Sequence, residues 1–363
     1  MINPIDGPAI VYCEGAFNTT NGKTAHGLVR FTERYSVIAV IDSRYTGKDA
    51  GEVLDGIVKH IPVFATVESA FEYSLQKNII PKYFVIGLAP DGGRLEEYAR
   101  KDILKAMELG MNIDSGLHDF ISDDPGFFNY ARDNKIFIRD IRKTPGRDKL
   151  HFFTGKIEEV RCLKIAVLGT DSAIGKRTSA WIIVHGLRKL DYKAQMIGTG
   201  QTSWMQGAKY SLILDSLIND FVSGEIEHVI HEAWKNEDPD VIILEGQGSL
   251  LNPAYPGGFE LLAAGRPDFI ILQHAPKRME YDGFPGYALH PLEKQIEAVE
   301  IISGKKVIAI TINHEKMTEF EIKKEAAKIE KTIGIPAFDI LKFGSGDLLK
   351  VIIPLIRDNY GTY

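Results

Sequence analysis

Apolar residues in this chain recur in short runs, separated by segments of helical period, and the alternation repeats from one end to the other. In the N-terminal half the runs Ala9–Cys13, Val37–Ile41, Pro62–Ala65, Tyr83–Leu88 and Lys135–Ile138 predict buried strands. Between them, Glu68–Gln76 and Arg94–Leu109 place apolar residues at i, i+3 and i+4, which predicts helices with one buried face. In the C-terminal half, strands are predicted at Leu163–Leu168, Lys193–Ile197, Val241–Leu244, Phe269–Gln273, Val307–Ile312 and Ala337–Ile340. Helical patterns fill the gaps over Lys176–Leu190, Leu212–Trp234, Pro291–Ile302 and Thr318–Thr332. Alternating strand and helix implies an α/β fold with parallel sheets in three layers. The alternation fails once, in the charged stretch 140–150 centred on Pro145 and Gly146. A domain junction is expected there, giving domains 1–145 and 155–363.

A chain of 363 residues suits two cores better than one. Hydrophobic residues make up 44% and charged residues 25%, the composition of an ordinary globular protein. The formal charge of −6 gives no electrostatic reason to expect nucleic acid or an anionic membrane as a partner, which leaves small molecules. Cys13 and Cys162 are the only cysteines, so no disulfide framework is implied and a reducing, cytoplasmic setting is expected. The first residues lack the basic and apolar segments of a signal peptide, and every apolar run is far shorter than the ~20 residues that span a bilayer. No cysteine or histidine cluster has metal-binding spacing, and oligomeric state is open, a homo-oligomer included.

The chemistry concentrates where a predicted strand, Leu163–Leu168, runs into Gly169-Thr170-Asp171-Ser172-Ala173-Ile174-Gly175-Lys176-Arg177-Thr178 and then a helix. Glycines at 169 and 175 let successive N–H groups turn inward at the positive end of a helix, and Lys176 adds a full charge. This strand, loop and helix predict a phosphate-binding P-loop. The bland reading is an ordinary strand-to-helix turn with a surface lysine. Five residues separate the glycines where four are usual, and Arg177 stands where Ser or Thr normally holds magnesium. Thr178 comes one step later, about 100° further round the helix.

A second signal is the apolar run Val241–Leu244 ending in Glu245-Gly246-Gln247-Gly248-Ser249. An acid at the carboxyl end of such a strand is placed to hold magnesium or accept a proton. A strand turning to solvent through glycine would read the same way. Gly198-Thr-Gly200-Gln201-Thr202 also follows a strand, so its amides and the Gln201 side chain are expected to line the same crevice. Gln273-His274-Ala-Pro-Lys-Arg278 follows another, offering His274 as a base and Arg278 as a partner for a substrate carboxylate; a lone histidine at a strand end is more often structural.

Gly169-Thr-Asp-Ser-Ala-Ile-Gly-Lys with Glu245-Gly-Gln-Gly resembles the dethiobiotin synthetase and cobyric acid synthase branch of P-loop proteins. A closer resemblance adds Gly198-Thr-Gly-Gln-Thr-Ser-Trp, Asp220-Phe-Val-Ser-Gly-Glu, Ile86-Gly-Leu-Ala-Pro-Asp-Gly-Gly and Ser115-Gly-Leu-His, spread over nearly all of the chain. Together these look like the two-domain family labelled domain of unknown function 1611, associated with D-glutamate N-acetyltransferases. That resemblance implies an N-terminal Rossmann-like domain, a C-terminal P-loop NTPase-like domain of three layers, and acetyl-CoA as acyl donor. Coenzyme A carries a pyrophosphate and a ribose phosphate that a P-loop can hold without hydrolysis.

Gly87–Gly93 and Ser115–His118 read equally as turn chemistry and as pocket walls. Asn21-Gly-Lys-Thr24 imitates the end of a P-loop but lies too far from Gly15, and no G-x-G-x-x-G follows the first strand, so a Rossmann shape does not imply bound NAD. Asp123 and Asp124 before Pro125 predict a helix start, and Trp181 reads as core.

Three functions compete. The first is an N-acetyltransferase moving acetyl from acetyl-CoA to an acidic amino acid such as D-glutamate. Glu245 or His274 would be its base, amides near Gly200 or Gly248 would meet the oxyanion, and Arg278 would hold a carboxylate. The second is an ATP-dependent ligase or kinase, with Lys176 on the phosphates and Thr178 and Glu245 on magnesium. The third is a nucleotide-responsive binding protein without turnover.

Overall fold

A computed structural model describes residues 5–360. The chain forms two compact units, one running to Pro145 and taking in Gln201–Ala208, the other made of Gly146–Gly200 and the residues from Lys209 onward.

The first unit is a parallel sheet of β1 (Gly7–Tyr12), β2 (Tyr35–Ile41), β3 (Val63–Phe64), β4 (Tyr83–Ile86), β5 (Asn112–Ser115) and β6 (Ile138–Asp140), in the order β3-β2-β1-β4-β5-β6. This is the Rossmann-like arrangement, with strand order reversing between β1 and β4, where α/β sheets usually admit a ligand. Here the segments that follow β1 and β4 are tied to each other by main chain. Ala25 N–H, near the start of the helix Lys23–Arg30, donates to the Gly87 carbonyl at 3.0 Å, and Ala89 N–H donates to the Asn21 carbonyl at 2.6 Å. A Cβ at Gly87 would meet the Ala25 Cβ at 2.7 Å, so only glycine allows this approach.

β5 was not expected from the sequence. Asn112-Ile-Asp-Ser looks polar, yet Asp114 is fully buried because Tyr35 and Arg139 satisfy it, with the Tyr35 hydroxyl donating at 2.5 Å and Arg139 Nε at 2.6 Å. β6 begins at Ile138, later than the expected Lys135, because Lys135 is the left-handed C-cap (φ 58°) of the helix Pro125–Asn134. That helix starts at the expected acid, with the Asp124 carboxylate accepting from Gly126 and Phe127 N–H.

The second unit is a parallel sheet of β7 (Leu163–Gly169), β8 (Ala194–Gly198), β9 (Tyr210–Ser211), β10 (Val241–Glu245), β11 (Phe269–His274), β12 (Val307–Ile312) and β13 (Ala337–Phe338), ordered β13-β12-β11-β7-β10-β8-β9. Every residue of β7 and β10 is buried, which explains their largely apolar runs; Lys164, the polar exception within β7, pairs with Asp268 at 3.3 Å. The helix expected from Leu212 begins at Asn219 instead, since Tyr210–Ser211 pair with β8 and Leu214–Ser216 form a 3-10 turn. Its Gly224 lies directly under the incoming chain, where a Cβ would stand 2.0 Å from the His151 carbonyl oxygen. Three residues on, Glu227 fixes that chain by accepting from Thr154 N–H and Oγ1 and from Ile157 N–H at 2.6, 2.8 and 3.2 Å.

The adjacency β11-β7-β10 positions the site, because the carboxyl ends of these neighbours carry His274, Gly169 and Glu245. Among the described residues no helix is long and apolar enough to cross a membrane.

Candidate functional site: a P-loop at the end of the second sheet

The loop after β7 curls as the sequence predicts. Ala173 and Gly175 take positive φ (50° and 98°), which turns consecutive peptides toward one side. Among the described residues, the N–H groups of Ala173, Ile174 and Gly175 make no hydrogen bond within the chain. The helix Lys176–Arg188 begins directly behind them, so its positive end backs the curl. A Cβ at Gly169 would lie 2.9 Å from both Ile174 Cδ1 and Lys176 Cδ, so a larger residue there would have to push those side chains aside. This is a cradle that fits a phosphate.

Lys176 is folded into its own loop. It is 7% exposed, and its Nζ donates to the Asp171 and Gly248 carbonyls, both at 2.7 Å. Burial pulls its pKa down to about 8, against the opposing pull of Asp171 and Glu245. Gly248 is held in the left-handed region (φ 47°) with its Cβ position against the Tyr255 carbonyl, so the carbonyl that receives Lys176 is fixed. The next side chain, Ser249 Oγ, is buried and has no hydrogen-bond partner among the described residues.

Asp171 ties the loops after β10 and β11 to the P-loop. Its fully buried carboxylate accepts from Ser172 N–H (2.7 Å), Asn252 Nδ2 (2.8 Å), Arg278 Nη1 (2.8 Å) and Asp282 N–H (2.9 Å). Arg278 also donates to the Ser172 carbonyl at 2.8 Å and, through Nε and Nη2, to Glu315 at 3.1 and 2.8 Å. Arg278 was expected to meet a substrate carboxylate; the structure instead engages its guanidinium with two carboxylates of the chain. Burial works against its charge, and the bonds to Glu315 and Asp171 more than offset that, raising its pKa.

Glu245, 3% exposed at the end of β10, accepts from Thr199 N–H at 2.8 Å through its carboxylate, and its main-chain carbonyl accepts from Thr199 Oγ1 at 3.0 Å. Gln247 Nε2 donates to the same Thr199 hydroxyl at 2.9 Å, so the loops after β8 and β10 are stitched together. Gly246 passes so close to β7 that a Cβ would stand 2.5 Å from the Val167 carbonyl oxygen. His274 at the end of β11 shares a hydrogen bond with Thr170 Oγ1 through Nδ1 at 3.1 Å, and burial drives its pKa down to about 4.

The crevice expected for 198–202 is divided. Thr199 and Gly200 stay with the P-loop unit, whereas Gln201 and Thr202 begin a short helix, Gln201–Gln206, that packs in the first unit. Thr202 Oγ1 pairs with Thr24 Oγ1 at 3.0 Å, Gln201 lies over Gly116, and Met205 joins the first unit's core. The physical reason is the buried Met205 together with Gln206, whose amide donates to the Gly27 and Phe31 carbonyls at 2.9 and 3.0 Å. Gln201 and Thr202 are therefore placed in the first unit's packing.

Arg177 cannot ligate a cation and the Glu245 carboxylate already accepts from Thr199 N–H at 2.8 Å, so a magnesium ion here would draw most of its ligands from bound phosphates and water.

Comparison with known proteins agrees with this architecture. The family model described as the domain of unknown function DUF1611, P-loop domain, matches residues 151–349, and its Rossmann-like N-terminal companion matches 43–144. The chain belongs to the DUF1611 family. A crystal structure of a DUF1611 family protein from Anabaena variabilis superposes with a TM-score of 0.87 at 27% identity, covering 96% of this chain and 99% of that one. Two curated relatives are named D-glutamate N-acetyltransferase. The one from Tritonibacter scottomollicae is 29% identical over 75% of this chain and 81% of its own, and the one from a Pseudoalteromonas species is 28% identical over 72% and 79%.

Proposed function

We propose that this DUF1611 protein is an N-acetyltransferase that moves acetyl from acetyl-CoA to the amine of an acidic amino acid such as D-glutamate. The observation that carries the reading is the alignment, over about three quarters of the chain, with relatives named for that reaction. The cradle supports it: three uncommitted amides and a lysine suit phosphate, while Arg177 in place of a metal-binding hydroxyl suits a phosphate group that is held and not cleaved.

In this reading the amides of Ala173, Ile174 and Gly175, with Lys176, grip the phosphates of coenzyme A. The amine attacks the thioester carbonyl, the carbon–sulfur bond breaks, and the thiolate leaves. Glu245 takes the ammonium proton, and amides at Gly200 and Gly248 face the oxyanion. His274, with its pKa near 4, is too weak a base at neutral pH to share that task well and is assigned to holding Thr170. Both cysteines are buried and free, which suits a reducing cytoplasm.

The test is thiol release from acetyl-CoA on adding D-glutamate, followed with a thiol reagent. Release that depends on the amino acid supports the reading. Phosphate release from ATP and magnesium would replace it with a ligase or kinase, and thermal stabilisation by nucleotide with neither product would leave a binding protein without turnover.

A further inference from the structure

The hairpin-like loop 279–289 is fastened to the P-loop. Asp282 N–H donates to the Asp171 carboxylate at 2.9 Å, and the loop closes on itself through Tyr281 N–H to the Tyr287 carbonyl (3.0 Å) and Leu289 N–H to the Met279 carbonyl (2.8 Å). A second loop, 246–257, is fastened to the same carboxylate through Asn252, whose Oδ1 accepts from Ala254 and Tyr255 N–H at 2.9 Å each. The two loops meet through aromatic rings. Tyr255 and Phe284 stand 6.0 Å apart at 67°, and Phe284 and Tyr287 stand 6.4 Å apart at 83°. Tyr255 and Tyr287 are 50% and 58% exposed, so this aromatic corner is open to solvent, on loops anchored at Asp171 of the P-loop.

We infer that Tyr255, Phe284 and Tyr287 form the surface that receives the pantetheine arm of acetyl-CoA, an inference that rests on the acetyltransferase reading. Near-perpendicular rings make a corner. A planar base prefers two parallel faces, whereas a thin, flexible chain of methylenes and amides lies along a corner and contacts ring faces and edges together. The arm is the part of the cofactor that must leave the phosphate site and carry the thioester onward. Two phenol hydroxyls beside the rings supply partners for its amides.

The experiment is calorimetric titration of the full chain with coenzyme A and with the 3′-phosphate of ADP, which keeps base, ribose phosphate and pyrophosphate but lacks the arm. Wild type is compared with the double substitution Tyr255→Ser and Tyr287→Ser, whose half-exposed positions carry little of the core. We expect the double variant to bind coenzyme A about tenfold more weakly and the arm-less compound as wild type does. Equal weakening of both ligands, or no weakening of either, overturns the inference. A fall in molecular mass of the double variant on light scattering, with coenzyme A affinity unchanged, would show that a second copy of the chain covers these rings and would also overturn it. Wild type that binds the arm-less compound but not coenzyme A defeats the arm site while leaving the phosphate cradle intact, and wild type that binds neither defeats the acetyltransferase reading itself.

Discussion

Arg278 and Asp171, 107 positions apart in sequence, are joined at 2.8 Å beneath the phosphate loop, and the same guanidinium grips Glu315 from the other side. The pair holds the loops after β7, β10 and β11 in one arrangement, because Asp171 also receives Asn252 and Asp282.

Arg278→Ala should therefore act on stability before it acts on chemistry. It strands a fully buried carboxylate, a loss of about 3–5 kcal/mol. Arg278→Lys should recover only part, since an ammonium cannot reproduce the fork to Glu315. Urea unfolding reads both. A substitution costing under about 1 kcal/mol would mean that Lys176 and the N–H donors around Asp171 balance its charge without Arg278.

Lys176 should make phosphate binding pH-dependent. With its pKa near 8 in the unliganded protein, its ammonium form is lost as pH rises through that value, and a bound phosphate must pull the proton back. Affinity for coenzyme A should fall by about tenfold per pH unit above roughly pH 8, with proton uptake on binding. Titrations in buffers of different ionisation heat test this. Uptake that persists in Lys176→Met would assign it to another group.

His274 should cost stability in acid. Its folded pKa, about 4, lies below the unfolded value near 6.5, so the unfolded chain binds the extra proton between them. Stability contributed by the neutral ring is complete above the unfolded pKa and is lost as pH falls from about 6.5 toward 4, by roughly 1–3 kcal/mol. His274→Gln should flatten that limb of the denaturation curve measured against pH, and an unchanged limb would contradict the assignment.

Gly224→Ala tests the seam at the start of the second unit. Its Cβ would press 2.0 Å from the His151 carbonyl oxygen, a main-chain atom that cannot rotate away. A loss of about 1–3 kcal/mol is expected, seen as a lowered Tm. A neutral result would mean that the segment at His151 lifts off the helix at little cost.

The P-loop was legible in sequence because everything that shapes it is contiguous: β7, the glycines, Lys176 and the helix behind them follow within one stretch. Most strands of both sheets were legible as short apolar runs, apart from β5, whose buried Asp114 disguises a strand as a loop, and β9, a two-residue strand at Tyr210–Ser211. The role of Arg278 was not legible. Its partners lie at 171 and 315, and only the folding of three loops onto one carboxylate reveals that the charge meant for a substrate is already used. The place of Gln201 and Thr202 was not legible for a related reason, since a short helix in the P-loop half of the sequence groups with the first unit. Asn252 and Asp282 carried no motif at all, although an acid inside a phosphate loop, as at Asp171, is itself a signal that partners must exist nearby.

The most direct test of the central claim is calorimetric titration of coenzyme A into wild type and Lys176→Met at neutral pH. Lys176 donates to two carbonyls, so the variant should lose about 1–3 kcal/mol of stability yet stay folded, which circular dichroism can verify. The account predicts saturable binding to wild type and its loss in the variant. Equal affinity for both proteins would contradict it.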